Sequence, residues 1–229
     1  MNRPQESQQF NSRQVLDLKK LVSQGEGLTL EFKRKAAHPE KIVREMIAFA
    51  NTKGGILLVG VGDDKTIAGL KYPEGESHVI MQALKRCSPP LKITETFIPI
   101  GDSRTILLYE IPESKKKPHY QINGEEKFCF VRVKDQSITA SREVKEIIRR
   151  EQSKKDIQFY YGEHEQFLMQ YLEKNRSITL KQFIELRGLK RSYASKKLVI
   201  LVLADVLLVS PHERGDVFSL APIMPLKGY

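Results

Sequence analysis

The chain has 229 residues, with 38 Lys and Arg against 28 Asp and Glu and a formal net charge of +10. That length suits one or two domains with real cores, and 40% hydrophobic residues confine expected disorder to ends and loops. Cys87 and Cys129 stand alone, which argues against a disulfide scaffold or zinc ribbon and fits a reducing cytoplasm. No leader-like segment and no apolar run of about 18 residues is found, so neither secretion by that route nor a membrane span is expected.

In chain order, residues 1–12 are polar and read as a flexible N-terminus. Ser12 suits the cap of a helix carrying Val15, Leu18, Leu21 and Val22 on one side. Leu28, Leu30 and Phe32 then share one parity and Thr29, Glu31 and Lys33 the other, which predicts a half-buried strand with Glu31 on its polar face. Pro39 opens a helix whose apolar stripe is Ile42, Val43, Met46, Ile47 and Ala50. Asn51 and Gly54-Gly55 can stop it, and the apolar run Ile56–Val61 reads as a central strand ending at Gly62-Asp63-Asp64. Strand, helix and strand in this order form a unit that usually crosses over right-handed.

This unit concentrates carboxylates. Glu26 and Glu31 lie five apart, so a regular strand would put them on opposite faces, but Gly25 and Gly27 could swing Glu26 back. Asp63 sits at a strand's carboxyl end, where ligands of open α/β sheets gather. Three converging carboxylates would suit Mg²⁺ or Mn²⁺, hard ions that take oxygen ligands. The same residues also fit solvated charges and an acidic turn.

Lys65–Gly69 reads as a short hairpin return and His78–Cys87 as a helix stopped by Ser88-Pro89-Pro90. Lys92–Ile98, Thr105–Ile111 and Lys127–Val133 are predicted strands completing a mixed sheet. Between the last two, Lys115, Lys116 and Lys117 stand beside His119 and Tyr120, where ammonium groups would meet phosphates and a ring could stack. Lys33 and Arg132 are further candidates for backbone contact, Arg132 with a carboxylate as its other option.

Ser141–Glu151 is a charged helix, and residues 151–162 read as a linker. Helices are then predicted over Glu163–Lys174, from a cap within Ser177-Ile-Thr179 to Leu186, and from a Ser192 cap through Leu198, Leu201 and Val202. Strands Val206–Val209 and Val217–Leu220 flank a turn carrying His212 and Arg214. Three helices closed by a hairpin give the order of a winged helix-turn-helix, whose third helix enters the major groove. Lys190, Arg191, Tyr193, Lys196 and Lys197 cluster there, with Arg214 at the wing. The run Ile200–Leu203 exceeds what one small domain needs, so part of this helix is expected to pack on a partner.

Glu26-Gly-Leu-Thr-Leu-Glu31-Phe-Lys-Arg34, Ala48-Phe-Ala-Asn-Thr-Lys-Gly-Gly55, Ile56–Asp63 and Phe130-Val-Arg-Val133 together resemble the Schlafen AlbA-type domain, over roughly residues 13–150. The domain occurs in bacterial regulators and in the Schlafen RNA-processing proteins. The resemblance implies an acidic triad, Glu26, Glu31 and Asp63, for divalent metal and catalysis. Gly62 is an addition here, so Asp64 could take the place of Asp63. RNA-cleaving Schlafens pair two copies of the domain across a groove, so this chain would need a homodimer.

The predicted architecture is thus α+β: a mixed-sheet Schlafen AlbA-like domain over 13–150, then a winged-helix domain over 163–229. The positive charge favours DNA or RNA as partner, with no membrane. The first expectation is a DNA-binding transcriptional regulator whose first domain adds a contact or senses a ligand. The alternative is a metal-dependent endoribonuclease acting on structured RNA. ATP finds no support: Gly55 and Gly60 have P-loop spacing, but Val61 stands where Lys should be and the residues between are apolar. Local spacing assembles no Ser-His-Asp or Cys-His arrangement.

Overall fold

The computed structural model describes residues 4–101, 103–151, 157 and 160–222. The chain divides into two units, Met1–Ile138 and Thr139–Tyr229.

The first unit opens with α1 (Pro4–Gln24), so the stretch expected to be flexible up to residue 12 is helical from Pro4. Proline suits the first turn because its missing N–H would have no partner there. Next come β1 (Leu30–Lys33), α2 (Pro39–Asn51), β2 (Gly55–Val59) and α3 (Pro73–Leu84). α3 begins five residues before the expected His78, again at a proline, with Glu74 and Glu76 in its first turn facing the helix dipole. Cys87–Ser88 is a short strand, β3, followed by β4 (Thr94–Ile100) and β5 (Arg104–Ile111). The unit closes with β6 (Tyr120–Asn123), β7 (Glu126–Phe128), β8 (Phe130–Val133) and β9 (Gln136–Thr139).

The main sheet runs β1-β2-β5-β4. β1 and β2 are parallel, with Leu30 opposite Ile56, and β5 is antiparallel to both β2 and β4, so the sheet is mixed. The expected third added strand, Lys127–Val133, does not join it. It splits at Cys129 into β7, which belongs to a β3-β6-β7 sheet, and β8, which pairs with β9.

α2 fills one face of the core. Met46, Phe49, Leu57, Val59, Leu107 and Tyr109 are fully buried there, each such side chain contributing about 1.5–3 kcal/mol. Gly54 and Gly55 permit this packing. Gly54 has φ +73°, and a Cβ on it would lie 2.7 Å from Ile111 O. A Cβ on Gly55 would lie 2.6 Å from the Phe49 ring. No larger residue fits either place. Leu18 and Val22 of α1 pack with Phe32, Leu58 and Ile106 on the opposite face. Cys87 and Cys129 are buried and form no disulfide, and burial pushes the Cys87 thiol up to about 12, which keeps it unreactive.

The second unit contains α4 (Arg142–Glu151), α5 (Glu163–Asn175), β10 (Ser177–Thr179), α6 (Leu180–Arg187), α7 (Arg191–Leu203), β11 (Leu207–Ser210) and β12 (Val217–Leu220). The expected linker over 151–162 falls largely outside the described residues. Thr179 Oγ1 accepts the Gln182 N–H and the Gln182 side chain returns to the Thr179 N–H, a capping box that starts α6. Gly188, in left-handed conformation, ends it. The three strands form an antiparallel sheet, β10-β12-β11. Leu168, Phe183, Ala194, Leu198, Leu201 and Phe218 make the core. The apolar excess near the end of α7 is used within the unit: Val199 and Leu203 pack on Ile147 of α4. α4 therefore belongs with the second unit.

Candidate nucleic-acid interface and acidic cluster

Gly25 (φ +78°) and a Gly27–Leu30 bridge turn the chain ahead of β1. The turn lets Glu26 Oε1 accept the Phe32 N–H at 2.9 Å. Burial raises the Glu26 pKa, the Phe32 N–H opposes the rise, and the negative charge of nearby Glu31 adds to it. The turn thus overrides the opposite-face arrangement a regular strand would impose.

Glu31 was expected on the solvent side of β1 but is buried. Its Oε2 accepts from Arg132 Nη2 at 2.5 Å, and its Oε1 accepts from Lys33 Nζ. The Arg132 side chain is 0% exposed. Its Nη1 donates to Glu45 Oε2 at 2.8 Å, its Nε and Nη2 donate to Gly27 O at 3.1 and 2.9 Å, and its guanidinium lies 4.9 Å from the Phe49 ring centroid. Arg132 is thus taken up by carboxylates, the other option the sequence left it, and Lys33 is tied to the same cluster. One is enclosed, and the other also gives its ammonium to Phe32 O.

Asp63 and Asp64 are exposed, and Asp64 Oδ1 accepts the Thr66 N–H at 3.0 Å, closing its own turn. Among the described residues no three His, Cys, Asp or Glu side chains are gathered to hold a metal ion. With Glu31 already bound by two cationic groups, these residues do not fit the expected Mg²⁺ or Mn²⁺ site.

The lysine loop separates in a similar way. Lys117 Nζ bonds Glu113 at 2.6 Å and its side chain is 8% exposed, which removes it as a free phosphate contact. Lys115 and Lys116 are exposed. The loop is held from beneath by Asn51, 2% exposed. Asn51 Oδ1 accepts the His119 N–H at 2.7 Å, and Nδ2 donates to His119 O at 3.0 Å and Phe130 O at 2.9 Å. His119 Nδ1 faces Pro89 O at 2.7 Å and Nε2 faces Ser114 Oγ at 2.6 Å. Sequence reasoning took Asn51 only for a helix stop, because its partners lie 68 and 79 residues away.

In the second unit, Lys197 Nζ bonds Glu165 Oε1 at 2.5 Å and stands 5.4 Å from the Tyr193 ring centroid. Glu165 also accepts the Gly162 N–H at 3.0 Å. Burial alone would raise the Glu165 carboxyl, but the Lys197 and Gly162 bonds outweigh it and lower its pKa. Lys197 is thus a tie between α7 and α5. Ser195 donates to Glu143 of α4 at 2.7 Å, and Arg191, largely exposed, lies 3.9 Å from the same carboxylate. Lys190, Arg191, Tyr193 and Lys196 remain exposed at and along α7, and Arg214 is exposed on the β11–β12 turn. Tyr160, 81% exposed and not anticipated from the sequence, borders a cavity of about 280 Å³ with Tyr193, Lys196 and Ile200. Its place beside α7 had no local signal.

A mixed-sheet α+β unit in which Arg132 of β8 is anchored on Glu31 of β1 fits an AlbA-like domain. Residues 26–141 match the family described as Schlafen, AlbA_2, about half of the chain, and the chain belongs to that family. No curated protein is detectably similar to it. Among solved structures, similar chains include the N-terminal domain of a RecG-related protein from Nitrosomonas europaea, at 22% identity and TM-score 0.39. That match covers 55% of this chain and 92% of the other. Another is the DIP2311 protein from Corynebacterium diphtheriae, at 15% identity and TM-score 0.44, covering 94% of this chain and 39% of that one. No helix among the described residues is long and apolar enough to cross a membrane.

Proposed function

We propose that the chain is a DNA-binding regulator whose second unit is a winged helix, with α7 as the helix that enters the major groove. The observation that carries this reading is the exposed set Lys190, Arg191, Tyr193 and Lys196 on a helix whose other flanks are tied down by Glu143 and Glu165. A helix fixed on two sides presents its third in one orientation, as groove reading requires. Arg214 on the β11–β12 turn would add a backbone contact, as a wing does. Membership in the Schlafen AlbA_2 family is compatible with nucleic-acid binding. Two copies of the chain on paired half-sites are part of the proposal, to be read as the mass of the DNA complex by light scattering.

Strand cleavage has no comparable support. It relied on a metal held by Glu26, Glu31 and Asp63, and no such group is gathered among the described residues. The test of the binding reading is a gel shift of labelled duplex DNA with the Lys190→Glu, Lys196→Glu double variant. At least a tenfold loss is expected from reversing two phosphate-facing charges. The control is Lys181→Glu, a reversal at an exposed site on α6. Equal binding by all three proteins would refute the role of α7.

A further inference from the structure

We propose that the first unit binds a small organic anion with a flat apolar body, in the cavity over His119. The cavity measures about 690 Å³, within the ~300–1,000 Å³ usual for small-ligand sites.

Its lining changes character with depth. At the bottom lie Ala50 and His119, 1% and 2% exposed. Pro89, Leu91 and Pro112 add apolar wall. These groups offer dispersion contacts to a flat ring and ask for no hydrogen bond in return. At the mouth stand Lys92, Lys115 and Lys116, all exposed and none with an ion-pair partner among the described residues. Among the described residues the only acid of the lining, Glu113, is already bonded to Lys117 at 2.6 Å. The cavity therefore sets uncompensated positive charge above an apolar interior, the complement of a ring bearing a carboxylate or phosphate.

The floor adds no competing charge. Pro89 O can only accept, so His119 Nδ1 carries the proton and Nε2 accepts the Ser114 hydroxyl. Burial lowers the His119 pKa, against the Pro89 bond, and favours this neutral form. The anionic group therefore belongs at the lysine mouth and the ring at the floor. The site is also built in advance: Asn51 clamps the His119 backbone and the Ser114 N–H donates to Ala50 O at 2.9 Å. A ligand would not have to order the loop on entry. The inference stands on the first unit alone and does not depend on DNA binding by α7.

The test is titration of the isotope-labelled full chain, followed by amide NMR. Adenosine 5′-monophosphate and indole-3-acetate carry both ring and charge. Adenosine, indole and inorganic phosphate each lack one of them. At least one ring-bearing anion should saturate a single site below about 1 mM, shifting amides of Ala50, Leu91, Lys92, residues 113–117 and His119. Which of the two binds separates a nucleotide from an aromatic acid as the ligand class. The single-feature probes, and the bifunctional probe on the Lys115→Ala, Lys116→Ala variant, should bind about tenfold more weakly. Those two lysines are exposed, so the variant should melt with wild type. Failure of both ring-bearing anions below about 1 mM, or shifts mapping elsewhere, would overturn the proposal. So would occupancy by single-stranded oligonucleotide alone, which would make the loop a nucleic-acid contact.

Discussion

Arg132 Nη2 and Glu31 Oε2 meet at 2.5 Å across 101 residues of sequence. This pair ties β1, the strand that follows the acidic turn, to β8. Glu45 and the Gly27 carbonyl complete the ring around the guanidinium. In this fold the glutamate works as the anchor of a buried arginine.

Removing that arginine should therefore cost stability. Arg132→Met would leave Glu31 and Glu45 without their main partner, and breaking a buried pair in this way typically costs about 3–5 kcal/mol. Urea unfolding of the full chain measures it. A loss below about 1 kcal/mol would mean that solvent reaches the pair.

Asn51 serves three backbone groups at once. Asn51→Leu would strip buried His119 N–H, His119 O and Phe130 O of their partner. Each orphaned group costs about 1–3 kcal/mol, so the three together should cost at least about 3 kcal/mol. Hydrogen exchange at the His119 amide should accelerate more than exchange in the second unit.

The buried His119 makes the first unit acid-sensitive. Its folded pKa lies below the ordinary 6.5. The unfolded chain thus takes up the proton first as pH falls, so this contribution is present in full above about 6.5 and is lost as pH falls through the folded value. Thermal melts between pH 8 and pH 5 should show a decline that His119→Gln flattens. The same slope in both proteins would refute the assignment.

Neighbouring lysines on α7 should separate by function. Lys197→Ala should lower stability, because it leaves the buried Glu165 carboxylate unpaired. The loss should fall somewhat below the ~3–5 kcal/mol of a fully enclosed pair, since Lys197 is partly exposed. Lys196→Ala should leave the melting temperature unchanged and weaken DNA binding. Because the Glu165 pKa is lowered, that pair's contribution is present above its ordinary 4.5 and is lost as pH falls through the folded value.

The local layer of the fold was legible in the sequence. Periodicity placed α2, β2, β5 and the α6 cap within a few residues, because stripe, glycine and capping signals are short-range. Alternation misplaced Glu31, since a period of two says which residues share a face but not that Arg132 will cover that face. Charge likewise could not distinguish Lys196 from Lys197 or Lys116 from Lys117. Each pair is adjacent in sequence, and one member meets a carboxylate that folding brings to it. The split of β7 from β8 was hidden because Phe128, Phe130 and Val131 form a near-continuous apolar run, while the Asn51 bond to Phe130 O comes from a distant helix.

The most direct test of DNA reading by α7 is the salt dependence of duplex binding. Fluorescence anisotropy would be recorded from 50 to 300 mM salt for wild type, Lys190→Ala, Lys196→Ala and Lys197→Ala. A lysine that neutralises a phosphate contributes about 0.9 to the slope of log K against log salt. The proposal predicts that Lys190→Ala and Lys196→Ala each lower the slope by about 1, while Lys197→Ala leaves it unchanged. Identical slopes for all four proteins would contradict binding through α7.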